Sequence, residues 1–162
     1  VEGNALVGEN ARVERNARIY GHSCLVGRAS VGGNSRVYEN AIVSGDSVVK
    51  GNARVYGDAV LLDRALVEGN AHVYQNARVL ELAHLKDNSR VFGDAVAMGK
   101  YTAEGSTKIS NDKNMPEKLS PSSRSRVSAA ISRVKSAIAS MRLKIDSARQ
   151  KEKTAPQASE KK

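Results

Sequence analysis

An aliphatic residue returns at every sixth position from Val1 to Val91: Val1, Val7, Val13, Ile19, Leu25, Val31, Val37, Val43, Val49, Val55, Leu61, Val67, Val73, Val79, Leu85 and Val91. The series weakens at Ala97. Four places after each of these stands a small residue, from Ala5 and Ala11 through Ser23, Ser35 and Ala53 to Ser89 and Ala95. A period of six fits neither the 3.6-residue helical repeat nor a long strand alternation. It fits a short strand and a corner, repeated. In the unit Arg54-Val55-Tyr56-Gly57-Asp58-Ala59, strand alternation turns Val55 inward and Arg54 and Tyr56 outward. Gly57-Asp58 then turns the corner, and Ala59 faces inward where the wall closes.

The residue before each small one is biased. It is Asn at 4, 10, 16, 34, 40, 52, 70, 76 and 88, and Asp at 46, 58 and 94; His22, Arg28, Arg64, Leu82 and Lys100 are the exceptions. Asn and Asp tolerate left-handed backbone, which predicts that they occupy that region at each corner. Gly often precedes them, as at Gly21, Gly45 and Gly57, and relieves crowding.

The pattern [V/I/L]-x-G-[N/D]-[A/S]-x resembles the hexapeptide-repeat, left-handed parallel β-helix superfamily over residues 1–102. Its Asn-Ala-Arg-Val-Tyr-Gly wording is most similar to bacterial and phage solenoids of uncharacterised or transferase-like kind. The resemblance implies an all-β solenoid, a single-stranded left-handed β-helix with three hexapeptides per eighteen-residue coil. Sixteen aliphatic units then give a little over five coils, a rod roughly 25 Å tall at ~4.8 Å per strand. The superfamily includes acyltransferases, γ-class carbonic anhydrases and non-catalytic solenoids, so fold alone does not select an activity.

Stacking at eighteen residues sorts the outward positions into faces. One face carries a basic column, Arg18, Arg36, Arg54, His72 and Arg90, beside an aromatic column, Tyr20, Tyr38, Tyr56, Tyr74 and Phe92. Two readings of this ladder stand: ring stacking with arginine stems covering the rings, or a ligand-binding strip for an anionic or sugar polymer. A second face is apolar outside as well as inside, through Leu6, Cys24, Ile42, Val60 and Val96 in one column and Val26, Leu62, Leu80 and Met98 in the other. A stripe of that kind predicts cover by another subunit or by a helix of the same chain. The third face mixes residues such as Arg12, Val48, Lys50, Glu68, His84 and Lys86 and reads as solvated.

From Lys100 the period is lost, so the solenoid is expected to end at 102, with a linker over 103–120. Ser120-Pro121 has the form of a helix N-cap followed by proline in the first turn. Val127, Ile131, Val134, Ile138, Met141 and Ile145 follow at 4-3 spacing, predicting an amphipathic helix over 121–150. Residues 151–162 read as a disordered tail. The helix is expected to dock on the apolar face or to self-associate. Contact with an anionic membrane or with nucleic acid is the further option, and without a base-reading motif such nucleic-acid binding is not sequence-specific.

Charge sharpens this division. The net charge is +9, yet residues 1–100 carry 12 Lys/Arg against 11 Asp/Glu, whereas residues 101–162 carry 14 against 6. Any attraction for anions drawn from net charge therefore concerns the tail. The single cysteine, Cys24, excludes an internal disulfide; no signal or membrane-spanning run is visible, and a cytoplasmic address is favoured. Val1 is already in phase, as expected of a fragment or processed product with coils upstream.

Enzymes of the superfamily carry a catalytic histidine and loops that break the repeat; here the repeat is unbroken. His22 falls at a corner, His72 in the basic column and His84 on the mixed face, and none has the spacing of the carbonic-anhydrase ligands. No catalytic residue, metal site or cofactor is assigned. The expectation is a non-enzymatic scaffold or interaction module, with an acyltransferase-like enzyme and a polymer-binding ladder as the alternatives.

Overall fold

The chain, as a computed structural model, is described over residues 1–8, 10–110 and 120–154. Among these, eighteen two-residue strands form three parallel six-stranded sheets. The apolar sheet stacks β1 (Leu6–Val7), β4 (Cys24–Leu25), β7 (Ile42–Val43), β10 (Val60–Leu61), β13 (Arg78–Val79) and β16 (Val96–Ala97). The mixed sheet stacks β2 (Arg12–Val13), β5 (Ser30–Val31), β8 (Val48–Val49), β11 (Leu66–Val67), β14 (His84–Leu85) and β17 (Thr102–Ala103). The ladder sheet stacks β3 (Arg18–Ile19), β6 (Arg36–Val37), β9 (Arg54–Val55), β12 (His72–Val73), β15 (Arg90–Val91) and β18 (Lys108–Ile109). The result is a β-solenoid of about six turns, consistent with the left-handed β-helix that the resemblance implies.

The register is one coil of eighteen residues: Arg36 pairs with Arg54 and Val37 with Val55. Between coils the amide of residue i donates to the carbonyl of residue i+17, as from Leu6 to Ser23 at 2.9 Å and from Arg54 to Ala71 at 2.9 Å. Inside runs one cluster of aliphatic and small residues, in which Leu25, Val43, Ala59, Leu61 and Val79 have no exposed surface. Serines in the small column keep their hydroxyls satisfied locally: Ser23 donates to the Tyr20 carbonyl at 2.8 Å and Ser35 to the Gly32 carbonyl at 2.7 Å. Among the described residues, the buried Ser89 hydroxyl has no partner.

Three expectations need correction. First, the solenoid does not stop at residue 102. Ala103 and Ile109 lie buried in the core, in phase with the six-residue series, while Tyr101 takes a small-residue place and packs against it. The expected linker is thus shortened at its start, and residues 111–119 lie outside the described part. Second, the helix α1 (Pro121–Thr154) runs four residues past 150; of the expected disordered tail, residues 155–162 lie outside the described part. Third, the Asn and Asp that stand just before the small residues do not take the left-handed backbone. Among the described residues it is the position before that one that does, whether Asn, Asp or another residue follows: Gly21, Gly45 and Gly57 with φ of 73°, 73° and 72°, and also Glu39, Asp63, Gln75, Glu81 and Asp87 with φ of 58–62°.

The corner asparagines have a different task, which is to join coils. Asn16, Asn34, Asn52, Asn70 and Asn88 form an amide ladder, each Nδ2 donating to the next Oδ1 at 3.1–3.3 Å. Asn40 donates to Asp58 and Asn76 to Asp94 in the same way. A non-glycine residue in the left-handed region costs about 1–3 kcal/mol. Several of these residues offset it by capping the next coil. The Gly57 amide donates to Glu39 Oε2 at 2.7 Å, Gly93 to Gln75 Oε1 at 2.8 Å, and Gly105 to Asp87 Oδ2 at 2.9 Å. At Gly45 a side chain would also meet backbone, because a Cβ there lies 2.7 Å from the Asp63 carbonyl oxygen.

The helix α1 begins where Ser120 Oγ accepts from the Ser123 amide at 3.1 Å. It packs on the apolar sheet. Val127, Ile131 and Ile138 are buried in one cluster with Leu6, Cys24, Val26, Ile42, Val60, Leu62, Leu80 and Val96, and Met98, Ala130, Val134 and Met141 close around it. Ile145, expected in that contact, is 37% exposed. The cause is length. Val127 to Met141 covers about 21 Å at 1.5 Å per residue and Val127 to Ile145 about 27 Å, whereas six strands span roughly 24 Å. The helix has run out of sheet by Ile145.

The unsatisfied hydroxyl gives a test. Ser89→Ala removes a buried donor without a partner and should stabilise the fold by about 1 kcal/mol, whereas Ser35→Ala breaks a made bond and should cost a similar amount. Urea unfolding of the two variants would read this; equal destabilisation by both would contradict the assignment.

Candidate functional site

The ladder sheet holds the residues that point most plainly to a ligand. Each two-residue strand puts one side chain outward at its first position, and the residue after the strand is outward again. Parallel in-register pairing then stacks like on like. Tyr20, Tyr38, Tyr56, Tyr74 and Phe92 become a continuous ring stack, with centroids 4.9–5.2 Å apart and planes within 6° of parallel. That spacing is the strand spacing of the sheet. The rings take up one another's faces, so the column offers edges and phenol hydroxyls outward rather than open stacking platforms. Partial burial, and then the neighbouring phenols, push the Tyr38 and Tyr56 hydroxyls above their ordinary pKa; Arg54 works in the opposite direction on both.

Beside the rings run Arg18, Arg36, Arg54 and Arg90, all exposed. The column continues into Lys108, which pairs with Arg90 in the sheet and lies beyond the point where the sequence period weakens. Among the described residues none of these five cations forms an ion pair; the surface bridges lie elsewhere, between Arg28 and Asp46, Lys50 and Glu68, His84 and Glu68, and Lys86 and Glu104. The corner carboxylates Glu39, Asp58, Asp87 and Asp94 are engaged by backbone amides or by asparagine. Along the edge of the column, Asn16, Ala17, Arg18, Asn34 and Arg36 line an open groove of about 500 Å³.

His72 interrupts the arginines. Its ring meets Tyr56 edge-on, with centroids 6.3 Å apart. Burial first, and then Arg54 and Arg90 on either side, hold its pKa below the ordinary 6.5. The column therefore carries a neutral member at neutral pH.

The other two histidines have structural partners. His84 Nε2 lies 2.6 Å from Glu68 Oε1, while Lys50 Nζ lies 2.8 Å from Glu68 Oε2. The hydrogen bond from Lys50 is the main influence holding the Glu68 carboxyl below its usual range. The His22 carbonyl accepts from Arg142 Nη2 at 2.7 Å, and the same guanidinium lies 3.2 Å from Cys24 Sγ. Between the helix and the first coil, Leu6, His22, Arg142, Ile145, Asp146 and Arg149 edge a groove of about 320 Å³. Among the described residues no group of three or more His, Cys, Asp or Glu side chains is placed to hold a metal ion, and no helix is long and apolar enough to cross a membrane.

His72 makes stability depend on pH in one direction. The folded chain binds its proton less readily than the unfolded chain. Its contribution is therefore present above 6.5 and is lost as pH falls through that value toward the lower folded pKa. His72→Gln should flatten the fall in urea midpoint between about pH 7.5 and 5 relative to the parent chain. An unchanged slope would show that His72 does not titrate as described.

Comparison of this chain with protein-family models, with curated proteins and with solved structures finds no match.

Proposed function

We propose that this chain is a non-enzymatic solenoid scaffold: a stiff rod that displays straight polar ladders and uses its own basic helix to cover its apolar face. The observation that carries this reading is the regularity of the corners. Among the described residues they recur at the six-residue interval through Gly105, each with its left-handed residue in the same place. Regular corners keep every outward column straight and let stability add coil by coil. An acyltransferase, the alternative on fold analogy, needs an acceptor pocket shaped by loops that leave the repeat. Within residues 1–8 and 10–110 the strand-to-strand interval stays at six. The helix supports the same reading, since it occupies the apolar sheet on which another subunit would pack to form a cleft.

Titration calorimetry with coenzyme A and acetyl-coenzyme A separates the two. At about 1 mM ligand, where an association near −4 kcal/mol half-saturates, the scaffold reading expects no saturable heat. Saturable binding would overturn it in favour of the acyltransferase.

A further inference from the structure

We propose that the ladder sheet is a binding strip for an extended acidic polysaccharide, with the carboxylates of successive sugars seated on the arginine column. The first support is charge. Arg18, Arg36, Arg54, Arg90 and Lys108 stand one coil apart in register, with no ion pair among the described residues. Like charges directly opposite one another on a sheet repel. A chain of anions with a matching repeat removes that repulsion and is held by charge-assisted hydrogen bonds, for which guanidinium is well shaped.

The second support is the kind of surface that flanks the charge. On one side is the asparagine ladder, with an open groove between Asn16, Asn34, Arg18 and Arg36. On the other side is a row of phenol hydroxyls. Amides and hydroxyls at a fixed repeat suit the hydroxyl groups of a sugar chain. The members of the ladder lie only 4.9–5.2 Å apart, ring to ring, so an extended chain of linked anions laid along the sheet meets several of them at once. A single-stranded nucleic acid is the other linear polyanion. It binds through free aromatic faces on which bases stack, and here the faces are used by the neighbouring rings. His72 leaves a gap in the column, neutral at neutral pH, so the strip as it stands lacks one cation. This inference adds a ligand to the scaffold reading and does not depend on it, because coenzyme A binding and glycan binding are read separately.

The test is calorimetric titration of the full chain, starting at about 0.1 M salt where the screening length is about 10 Å, with polygalacturonate and, separately, with single-stranded oligothymidylate. The parent chain should bind polygalacturonate more tightly than oligothymidylate, and more weakly as salt rises. Arg36→Gln/Arg54→Gln should weaken polygalacturonate binding by at least about tenfold, the loss expected of two charge-assisted contacts. Its unfolding midpoint should not fall, since a repulsion has been removed. His72→Arg should tighten binding at pH 7. Arg133→Gln/Lys144→Gln, on the exposed side of the helix, should leave it within about twofold, as charges on a different face do. No binding of polygalacturonate by the parent chain would overturn the proposal. So would tighter binding of oligothymidylate, or a loss in the helix variant as large as in the ladder variant.

Discussion

Everything in this molecule depends on the register between coils. Each residue pairs with the one eighteen places on, and each interior coil is held by amides donating to the carbonyls of the next. Once that register is set, a property of one hexapeptide becomes a property of a column. An aliphatic residue becomes a core, an asparagine becomes an amide ladder, and a tyrosine becomes a ring stack. The same rule multiplies costs, since one arginine becomes a row of like charges and one outward valine becomes an apolar stripe.

The corners show how the register is protected. Two residues must turn the chain from one sheet to the next with little room, and the first takes left-handed backbone. Glycine does so without strain. Where Glu39, Gln75 or Asp87 stands instead, its side chain bonds the backbone amide one coil away. The strained residue thus contributes a link between coils. The asparagines beside them do likewise through their amides. Corner and wall are therefore fastened by separate sets of hydrogen bonds that share one period.

Much of this was legible in the chain, because a six-residue period with a phased small column has few structural solutions. The inward series from Ile19 to Val91 and the division of outward residues among three faces follow from it. What was not legible has physical causes. The backbone tolerance of Asn points to the left-handed position, but the ladder bonds that explain its place act between residues eighteen apart and have no local signature. The end of the solenoid was set too early because Tyr101 and Thr107 replace the small residues there, although Ala103 and Ile109 keep the inward phase. Lys108 was lost from the basic column for the same reason. The ladder itself was visible, but its geometry was not. Only coordinates show that ring faces are consumed by stacking and that His72 is pressed against Tyr56. Ile145 continued the helical stripe in sequence, yet the sheet beneath it had already ended.

The apolar sheet is the one place where the register creates a surface that water does not favour, and the helix α1 closes it with Val127, Ile131 and Ile138. The closure is made by the chain's own helix. Light scattering on the full chain and on Ile131→Asp/Ile138→Asp distinguishes closure by the helix from closure by other copies. The parent chain is expected to scatter as a monomer of 17.3 kDa, and the variant to associate once the stripe is uncovered. A trimeric parent chain whose mass does not change in the variant would contradict it, because the apolar face would then be closed by other copies and not by its own helix.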